Sequence, residues 1–416
     1  MKKDPFKFEF ERVDNGMEIF YQQGRFETEI RLVFKAGGAR YDPVGKEGCA
    51  HMLEHLIGKK TSNFSEEKAM NAFILEHDLR MTAWTDLESI VIGGNSIKSE
   101  WRALFFLLEE ILKRSKLNEE LLEKEKEIVI SEMHPYYKMK EWIDVELETK
   151  RILYGNHPFS RIIRPSGTPS SIRSLSVEDL TDHRNRFFVA SNLSVVIITN
   201  FGLEKVKEEV QKHFSLLEGK VEYPRPPKNF PKPSKNLIEY SVSEILKIEK
   251  RPEIGETVEF FWVVPTSVLR GIEPILFTLR ENLMRSLRYE KSLVYNVDVS
   301  VREGRDISEI ELEIPGVRLN GSQEVVKIVR EEILKFSEQR NIFEMIMRNR
   351  LRRLYSYQNL PSVIADEAAK DIGIYGRPIT IRERIENIER LDSRQARDWV
   401  ENWLNEDRVL VRIFTP

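Results

Sequence analysis

Near the start of the chain, residues 17–23 (MEIFYQQ) and 28–36 (TEIRLVFKA) carry apolar positions in runs of strand length, and Gly37-Gly38 with Asp42-Pro43 breaks the pattern into a loop. A helix carrying His51, Met52, Leu53, Glu54 and His55 is expected next, followed by a second helix over about 65–77. A β-rich stretch from about 79 to 93 (LRMTAWTDLESIVIG) then leads into an amphipathic helix near 98–114. Asn118 with Glu119 and Glu120 behind it marks another helix start. An Asn side chain caps free backbone N–H groups, and acids complement the positive end of the helix dipole. That helix should run to about Ser131 or beyond.

From Gly219 to Asn236 the sequence GKVEYPRPPKNFPKPSKN holds five prolines, which predict an extended, semi-rigid linker. It divides the chain into a first domain over 1–217, a linker over 218–236 and a second domain over 237–416. The halves echo each other. Leu153-Tyr154-Gly155, Ile172, Leu175, a polar helix and a strand from Asn192 to Ile198 are answered by Ile374-Tyr375-Gly376, Ile388, Leu391, a polar helix and a strand from Arg408 to Phe414. Duplication also fits the length of 416 residues, since single cores stop growing at about 250–300 residues. The expected fold class is α+β, with two homologous domains that each pack helices on a mainly antiparallel sheet.

Charge adds mainly exclusions. With 65 basic and 68 acidic residues the formal net charge is -3, so nothing asks for nucleic acid or an anionic membrane as partner. The longest apolar runs are strand-length, far short of the roughly 20 residues that cross a bilayer as a helix. A single cysteine, Cys49, allows no internal disulfide, and the first residues (MKKDPFKFEFERVD) lack the apolar core of a signal peptide. A reducing, cytoplasmic location is the expectation. Glu, Lys and Arg bring the charged fraction to 32%, which suits thermophile ion-pair networks and an ordinary solvated helical surface alike.

The chemistry concentrates at residues 51–55. His51 and His55 are four apart, so on a helix both imidazoles leave one face and can converge on an ion, with Glu54 beside them. With seven His in 416 residues, an H-x-x-E-H string arises by chance in only about one such chain in a hundred. A catalytic zinc site needs three protein ligands and an open position, so a third must come from elsewhere. The helix after Asn118 offers Glu125 and Glu132, seven apart on one stripe with Ile128 and Val129 between them. Taken alone, Glu132 reads as a solvated helix glutamate, and Cys49 reads as packing.

These residues carry a family resemblance. GCAHMLEHLIGKKT, with Glu132 inside EKEKEIVISE downstream, resembles the pitrilysin/insulinase family of zinc peptidases, and the length resembles its shorter, mitochondrial-processing-peptidase-like members. The resemblance implies one Zn2+ per chain on His51, His55 and Glu132, with Glu54 as general base and Glu125 as an outer-shell partner. In the second half LRYEKSLVY is similar to the family's arginine/tyrosine pair, which places Arg288 and Tyr295 in the catalytic set. The stretch HDLRMTAWTDLES matches the family's substrate-binding edge strand at Ala83, Thr85 and Glu88, but it has Thr82 where Asn is usual and adds the bulk of Trp84. Thr82, Ala83, Trp84 and Thr85 are therefore the expected peptide-binding residues.

The resemblance further implies hydrolysis of unfolded peptides inside a chamber, and a homodimer as the simplest assembly because both motifs lie on one chain. The competing expectation is a non-catalytic structural or assembly subunit built on a peptidase fold.

Overall fold

The computed structural model describes residues 4–416 except 25–26, 217–218, 224–226, 228–229, 247–254, 337–344, 347–348, 350–351 and 353–359. The chain forms two compact units, neither of them continuous in sequence. The first takes Met1–Lys138, Ile162–Pro224 and Tyr357–Ile381, and the second takes Met139–Arg161, Arg225–Ser356 and Arg382–Pro416.

In the first unit the strands stand in the order β1 (Glu9–Arg12), β2 (Glu18–Gln23), β6 (Leu193–Thr199), β3 (Glu27–Phe34), β5 (Ile90–Ile97), β4 (Arg80–Thr85). Only the β2/β6 pair is parallel. The alternation in β3 decides its faces: Ile30, Leu32 and Phe34 join the apolar core, while Arg31 points to the other side. Among the described residues, eight helices belong to this unit by residue range: α1 (Cys49–Leu56), α2 (Glu67–Glu76), α3 (Trp101–Arg114), α4 (Glu119–Glu132), α6 (Pro169–Arg173), α7 (Val177–Phe187), α8 (Leu203–Phe214) and α12 (Pro361–Tyr375). Asn118 caps α4 as its type requires, its side chain accepting the Leu121 N–H at 2.9 Å. On the second face of the sheet, Arg31 donates to Asp366 of α12 at 2.6 Å and to Glu29 at 3.1 Å.

The second unit repeats this plan. Its sheet runs β7 (Leu237–Ser241), β11 (Val409–Thr415), β8 (Glu256–Pro265), β10 (Ile307–Val317), β9 (Asp298–Glu303), and again only the first pair, β7/β11, is parallel. Its helices are α5 (Lys140–Tyr154), α9 (Val242–Leu246), α10 (Glu273–Leu283), α11 (Ser322–Leu334), α13 (Ile381–Glu389) and α14 (Ser393–Trp403). The sequence echo now has a structural meaning. Gly155 follows α5 and Gly376 follows α12, while α7 and α14 both start on capping boxes, Ser176 with Asp179 and Asp392 with Gln395.

The division in space departs from the linear one expected at the Pro-rich segment. Among the described helices each sequence half gives one to the other unit: α5 falls in the second and α12 in the first. Periodicity tells which face of a helix is buried but not which sheet it covers. Buried ionic contacts hold α5 to its sheet. Lys150 Nζ lies 2.7 Å from both Glu309 carboxylate oxygens, the Tyr154 hydroxyl donates to Glu309 at 2.9 Å, and Arg412 pairs with Glu146 at 2.9 Å. Of the expected linker, residues 218, 224–226 and 228–229 lie outside the described residues; the remainder forms no helix or strand.

Candidate metal centre

α1 buries Cys49, Ala50, Met52, Leu53 and Leu56, which leaves His51, Glu54 and His55 on its opposite, partly open side. Two devices fix its N-terminus. The Asp42 carboxylate accepts the N–H groups of Gly48 at 2.7 Å and Ala50 at 2.8 Å, satisfying donors that no helical carbonyl can reach. Gly48 has φ +95°, and a Cβ there would meet Ile172 Cδ1 at 2.5 Å and the Ser166 carbonyl oxygen at 2.8 Å, so only glycine fits.

α4 brings the acids. Ligand atoms of His51, His55 and Glu132 all lie within 4.8 Å of one another. His55 Nε2 is 3.5 Å and His51 Nε2 4.0 Å from the same Glu132 oxygen, and the two imidazole centroids are 4.6 Å apart. Ligands about 2.0–2.2 Å from a tetrahedral ion stand about 3.3–3.6 Å apart, so small side-chain adjustments would enclose a zinc ion, and two imidazoles with one carboxylate are a donor set zinc accepts.

His55 presents Nε2 to this point because its Nδ1 faces Glu125 at 3.4 Å. That hydrogen bond raises the His55 pKa above its ordinary value, against the opposing effect of burial. Burial pushes the Glu125 carboxyl up, but the His55 contact and the Lys59 ammonium outweigh it and hold the group below its usual value. The stripe expected on α4 is therefore uneven: Glu125 is buried, whereas Glu132 at the helix end is 52% exposed. Glu54 sits beside the cluster, 3.3 Å from His51 Nδ1, and accepts the Thr85 hydroxyl at 3.2 Å.

Thr82, Ala83, Trp84 and Thr85 lie on β4, the edge strand of the first sheet, hydrogen-bonded to β5 alone among the described strands. A recess of about 230 Å³ opens beside Glu54, walled by Ile57, Met70, Ile74, Met81 and Ile111. Sequence reasoning passed over Lys59, which ties Glu125 (3.4 Å) to Glu67 (3.0 Å); its place four residues after His55 was the available signal. It also passed over Asp42, for which the sequence offered none.

A second group, Asp42, Cys49 and His183, also gathers within 4.8 Å. Its atoms have other duties. Asp42 caps α1, burial pushes the Cys49 thiol up, and His183 Nε2 lies 2.7 Å from the Gly37 carbonyl while burial lowers its pKa to about 4.

In the second unit Arg288 and Tyr295 are brought to each other, with the guanidinium carbon 4.8 Å from the ring centroid. Arg288 lies in a π-helical turn, Met284–Glu290, that continues α10. Tyr295 is 74% exposed and lies in the loop before the strand, which starts at Asp298.

The model described as insulinase, peptidase family M16, matches residues 23–164, and that described as peptidase M16 inactive domain matches residues 174–349. The chain belongs to the insulinase (M16) peptidase family. The His51–His55 string and the Arg288/Tyr295 segment thus fall in separate matched regions. Among relatives, the mitochondrial-processing peptidase subunit beta of Saccharomyces cerevisiae is 27% identical over 182 residues, 44% of this chain and 38% of that one. The mouse cytochrome b-c1 complex subunit 1 is 23% identical over 203 residues, 49% of this chain and 42% of that one. The matches span less than half the length of those curated relatives. A solved protease from Helicobacter pylori shares the fold at TM-score 0.81 and 18% identity, covering 99% of both chains. An M16 inactive domain from Pseudomonas fluorescens does so at 0.79 and 14% identity, covering 99% of this chain and 98% of that one.

Proposed function

We propose that this M16 protein is a zinc-dependent endopeptidase acting on unfolded peptides. The observation that carries the reading is the convergence of His51, His55 and Glu132 beside Glu54, with His55 oriented by a buried Glu125. Held by those three side chains, one zinc per chain would supply polarisation of a scissile carbonyl and a water made nucleophilic near neutral pH.

The protein's own groups do the rest. Glu54 accepts the proton of the attacking water and returns it to the leaving amine, and the Thr85 hydroxyl fixes the carboxylate for that task. The free edge of β4 pairs with an extended peptide through main-chain hydrogen bonds, which favours unfolded substrates of varied sequence. The recess walled by Met70, Ile74 and Met81 takes an apolar substrate side chain next to the cleaved bond. Arg288 and Tyr295, both assigned to the reaction by family resemblance, would donate to the substrate carbonyl as it gains charge.

A homodimer in a reducing cytoplasm is the assembly and location proposed with this reading. One relative bears the name of a complex subunit rather than a peptidase, which favours an assembly role as the second reading. Metal content measured together with hydrolysis of a mixed peptide pool, before and after chelation, separates the two. Zinc-dependent cleavage supports the peptidase; a folded, zinc-free protein that cleaves nothing supports the subunit.

A further inference from the structure

We propose that Glu332, buried on α11, is a positioning residue for Arg288: it fixes the winding of the π-helical turn Met284–Glu290, which carries the guanidinium to Tyr295. Arg288 has a part in the reaction only on the peptidase reading above, and the proposal rests on that reading.

Glu332 has a counterpart in the first unit. α3 and α11 each follow the hairpin's second strand and share the string Glu-Glu-Ile-Leu-Lys at 109–113 and 331–335, so Glu332 answers to Glu110. Both are buried, and each holds chain that has just left a helix. Glu110 accepts from the Thr61 hydroxyl at 2.9 Å and from the Asn63 side chain at 2.8 Å, a few residues past α1, and pairs with Arg114. Glu332 accepts the Ser286 hydroxyl at 2.8 Å, just past α10. There the likeness ends. Among the described residues no cation pairs with Glu332, and its Oε2 has no hydrogen-bond partner.

A carboxyl group buried on one hydroxyl contact adds little to stability, because removing it from water costs about as much as that contact returns. What the contact does secure is a winding. A π turn holds one residue more than an α turn, and reverting to α winding would carry Arg288 about 100° round the helix axis. Ser286 lies inside the turn, two residues before Arg288, so its bond to Glu332 pins the entry against that slip.

The exit is pinned as well. The Leu293 N–H donates to the Leu287 carbonyl at 2.8 Å, and the Leu293 carbonyl accepts the Arg318 N–H at 3.0 Å, just past β10. Between them Ser292 is held at φ +52°, in the left-handed region that a serine rarely adopts. With both ends fixed, the extra residue stays in the turn, and the Arg288 guanidinium carbon stands 4.8 Å from the Tyr295 ring centroid.

The test is a set of variants of the full chain, assayed with a peptide substrate. Glu332→Met and Ser286→Ala should each lower kcat by about 10-fold or more while KM stays within about 3-fold. Zinc content should not change, and the melting temperature of Glu332→Met should hold or rise, because an uncompensated buried carboxyl is gone. Glu332→Gln keeps an oxygen that accepts from Ser286 and should stay within about 3-fold of the parent. In an Arg288→Ala background, Glu332→Met should cost less than about 2-fold more, since it acts through Arg288. Undiminished kcat in both Glu332→Met and Ser286→Ala overturns the proposal, as does a loss that adds in full to that of Arg288→Ala. A lowered melting temperature with kcat per folded molecule intact would make Glu332 a structural residue and overturns it too. Arg288→Ala tells the two failures apart. If it lowers kcat and Glu332→Met does not, the positioning role alone fails; if it leaves kcat intact, or the parent cleaves nothing, the reading falls and takes the proposal with it.

Discussion

Glu54 is approached from two sides, by Thr85 and by His51, and its role can be tested apart from metal binding. Glu54→Gln keeps a hydrogen-bonding group of the same shape, so zinc content should be unchanged while hydrolysis falls by about 10²-fold or more. A near-normal rate in that variant would remove Glu54 as the base. His55→Ala should behave in the opposite order, losing most of the zinc by metal analysis, because it deletes a ligand and strands the buried Glu125. Tyr295→Phe should lower kcat by about 10–10³-fold with zinc content and melting temperature intact. Unaltered kcat per folded molecule would leave Tyr295 a surface aromatic stacked under Arg288.

At the scale of elements, α7 holds a titratable group that ties it to the loop before α1. Burial holds His183 at about 4, below its ordinary 6.5. Between those values the unfolded chain binds a proton that the folded chain does not. The stability involved is therefore complete above pH about 6.5 and falls as pH drops toward 4, by about 3 kcal/mol in all. Urea denaturation at pH 7 and pH 5 should show this loss, and His183→Gln should flatten it; an equally steep loss in the variant would place the titration elsewhere. Element types were legible because β3 carries a strand-length apolar run and α4 opens on an Asn cap, both local signals. The position of Tyr295 was not, since a π-helical turn followed by a loop leaves no periodic mark.

For the whole molecule, the exchange of α5 and α12 changes what a half-chain can do. A fragment of residues 1–217 contains every proposed ligand but lacks α12, whose Asp366 pairs with the buried Arg31 and whose Gly373 lies close against Ser89. It should be less stable than the full chain and bind zinc weakly, and co-expression with residues 237–416 should restore both properties. A fragment that alone melts cooperatively at the full-chain temperature would show that α12 is dispensable to the first sheet.

The sequence by itself determined what depends on near neighbours along the chain: the strand and helix periods, the cap on α4, the shared face of His51, Glu54 and His55, and, through the repeated Tyr-Gly and aliphatic spacing, the duplication. Tertiary structure decided what depends on distance across the chain. It drew Glu132, 77 residues beyond His55, to the histidines, and it buried Glu125 while leaving Glu132 open. It also set Thr85 on Glu54, and it assigned α5 and α12 to the sheets of opposite halves. An amphipathic pattern states that a face must be covered, whereas the surface that covers it is chosen by packing and by charges such as Glu309, Arg412 and Asp366, which no local pattern reports.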